Sequence, residues 1–119
     1  MNILIIEDEI LIAKSLKKLI QIRGHTVHTA SSGGEAIELI RKNNFDRIIC
    51  DLMLQDISGF DIIEESKDRY TNDEISDKFV IMTAYSSGQI LERAGQYGCK
   101  VLSKPFNDIN EAIDIFVKE

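Results

Sequence analysis

Five short apolar runs, separated by stretches with helical periodicity, constrain this chain more than any other feature. The runs cover residues 2–6, 26–30, 47–50, 79–82 and 99–102. Three of them are almost continuously apolar and rich in Ile and Val, the pattern of strands covered on both faces. Between them, Ile12, Leu16, Leu19 and Ile20 share one helical stripe, and Ala36, Ile37 and Ile40 share another. Ile109, Ala112, Ile113, Phe116 and Val117 follow the i, i+3, i+4, i+7, i+8 spacing, with Asn107 or Asp108 placed to cap the segment. Residues 57–69 and 87–97 are weaker helical candidates, the second ending before Gly98. The polar stretch 70–78 reads as a solvated loop. Strands alternating with helices through right-handed crossovers predict a three-layer α/β sandwich with five parallel strands and five helices.

Composition narrows the function. With 119 residues, 44% of them hydrophobic, and only one Pro and seven Gly, residues 1–119 read as one domain that removes roughly two-thirds of its unfolded surface from water. Twenty acidic against fourteen basic residues give a net charge of −6. The basic residues are scattered, so the chain repels a nucleic-acid backbone and no nucleic-acid partner is expected. The apolar run before Glu7 is too short for a signal-peptide core or a membrane span, which predicts a cytoplasmic protein with no membrane partner. Cys50 and Cys99 lack a CxxC spacing or a nearby His and read as buried thiols. His25 and His28, at the second strand, read as surface or strand-end residues. Tyr85 and Phe106 read as packing aromatics.

Ligands of such sheets sit beyond the carboxyl ends of the strands. Strand one ends at Glu7-Asp8-Glu9, strand three at Asp51, strand four at Thr83-Ala84 and strand five at Ser103-Lys104-Pro105. Together these ends gather carboxylates, a hydroxyl and an ammonium at one rim. Carboxylates held close must take up protons or share a cation, and hard oxygen donors with room for water favour Mg²⁺. A carboxylate there can attack phosphorus while a cation and Lys104 absorb charge on the equatorial oxygens.

These stretches resemble the receiver domains of two-component response regulators, the CheY-like family. The matching segments are Ile3-Leu4-Ile5-Ile6-Glu7-Asp8-Glu9, Asp51-Leu52-Met53-Leu54 with Gly59 eight residues after the Asp, Ile81-Met82-Thr83-Ala84, and Lys104-Pro105-Phe106. The resemblance covers essentially the whole chain. It implies a flavodoxin-like sheet in the order 2-1-3-4-5 and an Asp51 that takes phosphate from a phosphohistidine on a sensor histidine kinase or a histidine phosphotransfer protein. Asp8, Asp51 and the Met53 carbonyl would bind Mg²⁺, with Glu7 acting mainly through a water on the cation. Thr83, the Ala84 amide and Lys104 would contact phosphoryl oxygens, and Lys104-Pro105 would be cis. The chain would act, as a standalone receiver, on a downstream protein target, or on an output domain of a longer regulator, through its last two helices and the strand between them.

Two positions depart from the family. Val101 replaces the usual aromatic three residues before the Lys, which removes the customary ring switch. Gln55 stands where many members have Pro, which predicts a less constrained loop after Asp51. Three other functions compete. A haloacid-dehalogenase-type phosphatase wants a second Asp where Met53 stands. A flavin carrier needs a Ser/Thr/Gly-rich phosphate loop where Glu7-Asp8-Glu9 stand. A phosphorylation-independent binding module has no need of Glu7, Asp8, Asp51, Thr83 and Lys104 together.

Overall fold

The computed structural model describes residues 1–118; Glu119, the last residue of the expected domain, lies outside them. The apolar runs form β1 (Asn2–Ile6), β2 (Thr26–Ala30), β3 (Arg47–Asp51), β4 (Phe79–Thr83) and β5 (Lys100–Ser103). They make one parallel sheet in the order β2-β1-β3-β4-β5. All of β3 and β4 is buried, which is why these segments show no polar alternation, whereas the edge strands β2 and β5 are partly exposed.

The helices are α1 (Ile10–Ile22), α2 (Gly33–Lys42), α3 (Gly59–Ser66), α4 (Asn72–Lys78), α5 (Gly88–Tyr97) and α6 (Ile109–Phe116). Among the described residues, six helices replace the five expected, because the stretch read as a loop contains α4. Its start is a capping box in which Thr71 and Glu74 satisfy each other's backbone amides. Ile75 is its one buried residue, too little for an apolar stripe to betray the helix. The helix expected over 57–69 is confined to α3, which begins with a Ser58–Asp61 capping box. Asp108 is the residue that caps α6. Gly98 ends α5 at φ 74, a left-handed conformation suited to glycine, and a Cβ there would lie 2.6 Å from Ser76 Oγ.

Side chains alternate across the sheet into two cores. Ile3, Ile5, Ile49, Val80 and Met82 pack with Leu16 and Ile20 of α1 and with Ala112, Ile113 and Phe116 of α6. Leu4, Ile6, Ile48, Cys50 and Ile81 pack under α2, α3, α4 and α5. Each fully buried Ile or Leu stabilises the fold by roughly 1.5–3 kcal/mol, so a one-residue slip of a strand, which would exchange the faces, is strongly disfavoured. This fixed register sets Asp51 beside Met82 at the carboxyl end of β3. At the opposite end of the sheet, the buried Arg47 donates to the carbonyls of Phe116 and Lys118 and ties down the end of α6.

Cys50 and Cys99 are buried free thiols, and burial pushes the Cys99 thiol up to about 11. His28 lies inside β2 with its ring edge against Phe45, and His25 meets the terminal amine of Met1. No helix among the described residues is long and apolar enough to cross a membrane.

Candidate functional site

The site is built by strand ends. Glu7 follows β1, Asp51 closes β3, Thr83 closes β4, and Lys104 follows β5. Glu7, Asp51 and Thr83 are the chemistry-bearing residues buried at this rim, at 1%, 4% and 0% exposure. Glu7, Asp8 and Asp51 each place a carboxylate oxygen within 4.8 Å of the others. Lys104 Nζ donates to Glu7 Oε1 at 2.8 Å and to Asp51 Oδ2 at 3.2 Å, while the Met53 amide donates to Asp51 Oδ1 at 3.2 Å. Lys104-Pro105 is cis.

The Asp51 backbone is approached closely from the other side. A Cβ on Gly59 would lie 3.0 Å from the Asp51 carbonyl oxygen and 3.1 Å from Cys50 Sγ, so a side chain at 59 would press on the strand that presents Asp51.

Electrostatics follow from this crowding. Burial, then the hydrogen bond with Asp51, push the Glu7 carboxyl up to about 7, although its bond to Lys104 opposes the rise. Burial pulls the Lys104 ammonium down, but its hydrogen bond to Glu7 and the charges of Asp51 and Glu7 outweigh this and hold it above its ordinary value. A folded-state value above the ordinary 4.5 means that the Glu7 contribution to stability is complete at low pH and is lost as pH rises to about 7. In Mg²⁺-free buffer, wild type should therefore lose ~2–3 kcal/mol relative to Glu7→Gln over that interval. Urea melts of both proteins across the range check this; parallel stabilities would contradict it.

The cleft over these groups has a volume of about 340 Å³ and is lined by Asp8, Glu9, Asp51, Met53, Gln55, Ala84, Tyr85 and Lys104. Of the residues singled out in the sequence, Glu7, Asp8, Asp51, Met53, Ala84 and Lys104 thus meet at one place. Thr83 stands at the same rim, but its hydroxyl is engaged locally, donating to the Tyr85 carbonyl and accepting from the Tyr85 amide, both at 3.0 Å. Tyr85 is exposed, whereas Phe106 packs edge-on against Phe116. Val101 is half-buried against the core beneath α2–α5.

A family model described as the response regulator receiver domain matches residues 3–114. The chain belongs to the response regulator receiver family. Among relatives of this receiver, the probable transcriptional regulator ycf29 of Pyropia yezoensis is 31% identical over 117 residues, which are 96% of this chain and 50% of that protein. The chain therefore spans half the length of ycf29. The polar-differentiation response regulator DivK of Brucella abortus is 32% identical over 108 residues, 89% of this chain and 85% of its own length. The response regulator TrrA of Thermotoga maritima, solved in complex with Mg²⁺-BeF, superposes with a TM-score of 0.76 at 26% identity, covering 98% of each chain. Receiver domains are signalling switches, and the sheet order and three layers seen here are those of CheY-like proteins.

One feature of the site was missed in the sequence. Asp56, five residues beyond Asp51, accepts from the backbone amides of Gly33 and Gly34 at the start of α2. No local motif signals this pairing, because its partners lie 23 and 22 residues away.

Proposed function

We propose that this receiver accepts a phosphoryl group on Asp51 in a Mg²⁺-dependent reaction, drawing it from a phosphohistidine on a kinase or phosphotransfer protein. The observation that carries the reading is Lys104, whose single ammonium spans Glu7 and Asp51 inside a three-carboxylate cluster open to a cleft. The donor set fits a hard divalent cation: the carboxylates of Asp8 and Asp51 and the Met53 carbonyl would hold it, and the cleft leaves space for water. Bound there, Mg²⁺ supplies charge neutralisation between these carboxylates and the phosphoryl oxygens.

The remaining chemistry belongs to the chain. An Asp51 oxygen forms the new P–O bond as the donor's P–N bond breaks, and the electron pair leaves on the imidazole nitrogen. Lys104, already within hydrogen-bond reach of Asp51, turns from the carboxylate to the phosphoryl oxygen while Glu7 keeps hold of the same ammonium. Thr83 reaches the phosphoryl group only by giving up its bonds to Tyr85, which couples phosphorylation to the loop before α5.

That helix suits a movable element. Ala94 is its one buried residue, and it is fastened to α3 by surface contacts: Tyr97 stacks on Phe60, Tyr97 Oη donates to Glu64 at 2.7 Å, and Arg93 lies over Phe60. With Val101 in place of a swinging ring, Thr83 and α5 carry the switch. A second cleft of about 550 Å³ adjoins the site, shares Glu9, Ala84 and Lys104 with it, and is walled by Leu11, Ile12, Pro105, Phe106 and Ile109. Its apolar walls suit the donor protein, since a partner seated there lies next to Asp51.

A Mg²⁺ titration in the presence of beryllofluoride tests the reading. The expected result is saturable, metal-dependent protection of residues 84–97 in hydrogen exchange. No metal-dependent response would instead make the chain a phosphorylation-independent binding module.

The lifetime of the phosphorylated state is expected to be long. Hydrolysis needs a water in line with the Asp51–phosphorus bond, and Met53 and Tyr85 flank the cleft with a thioether and a phenol ring, neither suited to orienting that water. Met53→Asn and Tyr85→Glu should each speed phosphate loss about tenfold at fixed Mg²⁺. Equal decay rates in all three proteins would refute this.

A further inference from the structure

Residues 52–58 link β3 to α3 and carry the Met53 carbonyl. The base of this loop is closed by its own backbone: Met53 bridges Ser58, and the Gly59 amide donates to the Leu52 carbonyl at 2.9 Å. Its tip is fastened to a different element. Asp56 Oδ1 accepts from the Gly33 amide and Oδ2 from the Gly34 amide, both at 3.0 Å.

These are the first two amides of α2, donors that a helix cannot satisfy internally, and the third, on Glu35, is taken by Ser32 Oγ. A carboxylate is favoured at this end of the helix dipole, and the two amides hold the Asp56 carboxyl below its ordinary range. Ile57 then closes over Gly33. A Cβ at that position would fall 2.2 Å from Ile57 Cγ1, so the loop tip can seat only where α2 begins without a side chain.

The expectation that Gln55 leaves the loop loose is therefore offset. The ring missing at position 55 is replaced by a two-bond anchor one residue later, reaching across to α2.

Resting on the phosphoacceptor reading above, we propose that Asp56 is a positioning residue for the metal site: by clipping the loop tip to α2 it fixes the Met53 carbonyl relative to Asp51. Asp56 belongs neither to the carboxylate cluster nor to the lining of the cleft above it. Its loss should weaken Mg²⁺ binding through added loop freedom and leave the phosphoryl-transfer groups intact.

The test measures the rate of phosphorylation by acetyl phosphate against Mg²⁺ concentration. Asp56→Ala and, independently, Gly33→Ala should raise the half-saturating Mg²⁺ concentration about five- to tenfold, while the rate at saturating Mg²⁺ stays near that of wild type. Among the described residues, no backbone carbonyl accepts a hydrogen bond from the Gln55 amide that a proline would remove. Adding Gln55→Pro to Asp56→Ala should therefore recover most of the lost Mg²⁺ affinity, a rescue that a merely structural role for Asp56 would not give. Unchanged half-saturation in Asp56→Ala, a fall in the saturated rate alone, or no recovery in the double variant would each overturn the proposal. Failure of the phosphoacceptor reading would be seen separately, as a wild-type protein that takes up no phosphate at any Mg²⁺ concentration.

Discussion

Asp51→Asn is expected to reduce phosphate incorporation from acetyl phosphate to background. An amide oxygen is a far poorer nucleophile than a carboxylate, and no neighbouring group stands ready to replace it. Glu7 is buried, is raised to about 7 and is held by Lys104. Asp8 shares the cluster, but the Lys104 contacts run to Glu7 and Asp51. The same substitution should stabilise the Mg²⁺-free protein, because it removes one of three crowded carboxylates. Intact-mass measurement after incubation with acetyl phosphate reads the first effect and thermal melts read the second. Incorporation at the wild-type level would remove Asp51 from its role.

Lys104→Ala should have the next largest effect, and on two levels. It strips Glu7 and Asp51 of the cation between them, and breaking a buried pair from one side costs about 3–5 kcal/mol when the remaining charge cannot escape. Here Glu7 can take up a proton, so the loss in Mg²⁺-free buffer should be smaller, roughly 2 kcal/mol near neutral pH. On the proposed phosphoacceptor reading, the variant also loses the group expected to follow the phosphoryl oxygens. Beryllofluoride with Mg²⁺ should therefore no longer alter hydrogen exchange in residues 84–97. A full wild-type response in this variant would show that the signal leaves the site without Lys104.

Much of this architecture was legible in the sequence because it is written in local patterns. The buried β3 and β4 carry unbroken apolar runs, and α6 carries a complete apolar stripe above the Asp108 cap. The strand ends then located the candidate site, since a parallel sheet brings Glu7, Asp51, Thr83 and Lys104 to one rim wherever they fall in the chain. What escaped lacked either a stripe or a local partner. Helix α4 buries only Ile75 and is announced by its Thr71–Glu74 capping box alone, a signal outweighed by its many charges. The Asp56 anchor joins a loop to the first turn of a helix distant in sequence, and Gly33 discloses its purpose only when Ile57 is seen lying over it. The local engagement of the Thr83 hydroxyl depends on a side-chain rotamer, which no sequence pattern states.

The most direct measurement is to phosphorylate the chain with acetyl phosphate, with and without Mg²⁺, and to map the modified residue by peptide mass spectrometry. The phosphate should be acid-stable and base-labile, should reside on Asp51 alone, and should be absent when Mg²⁺ is chelated. Phosphate found on Asp8, on a histidine or on a hydroxyl side chain, or incorporation that proceeds equally without Mg²⁺, would contradict the assignment of this cluster as a metal-dependent aspartyl phosphoacceptor.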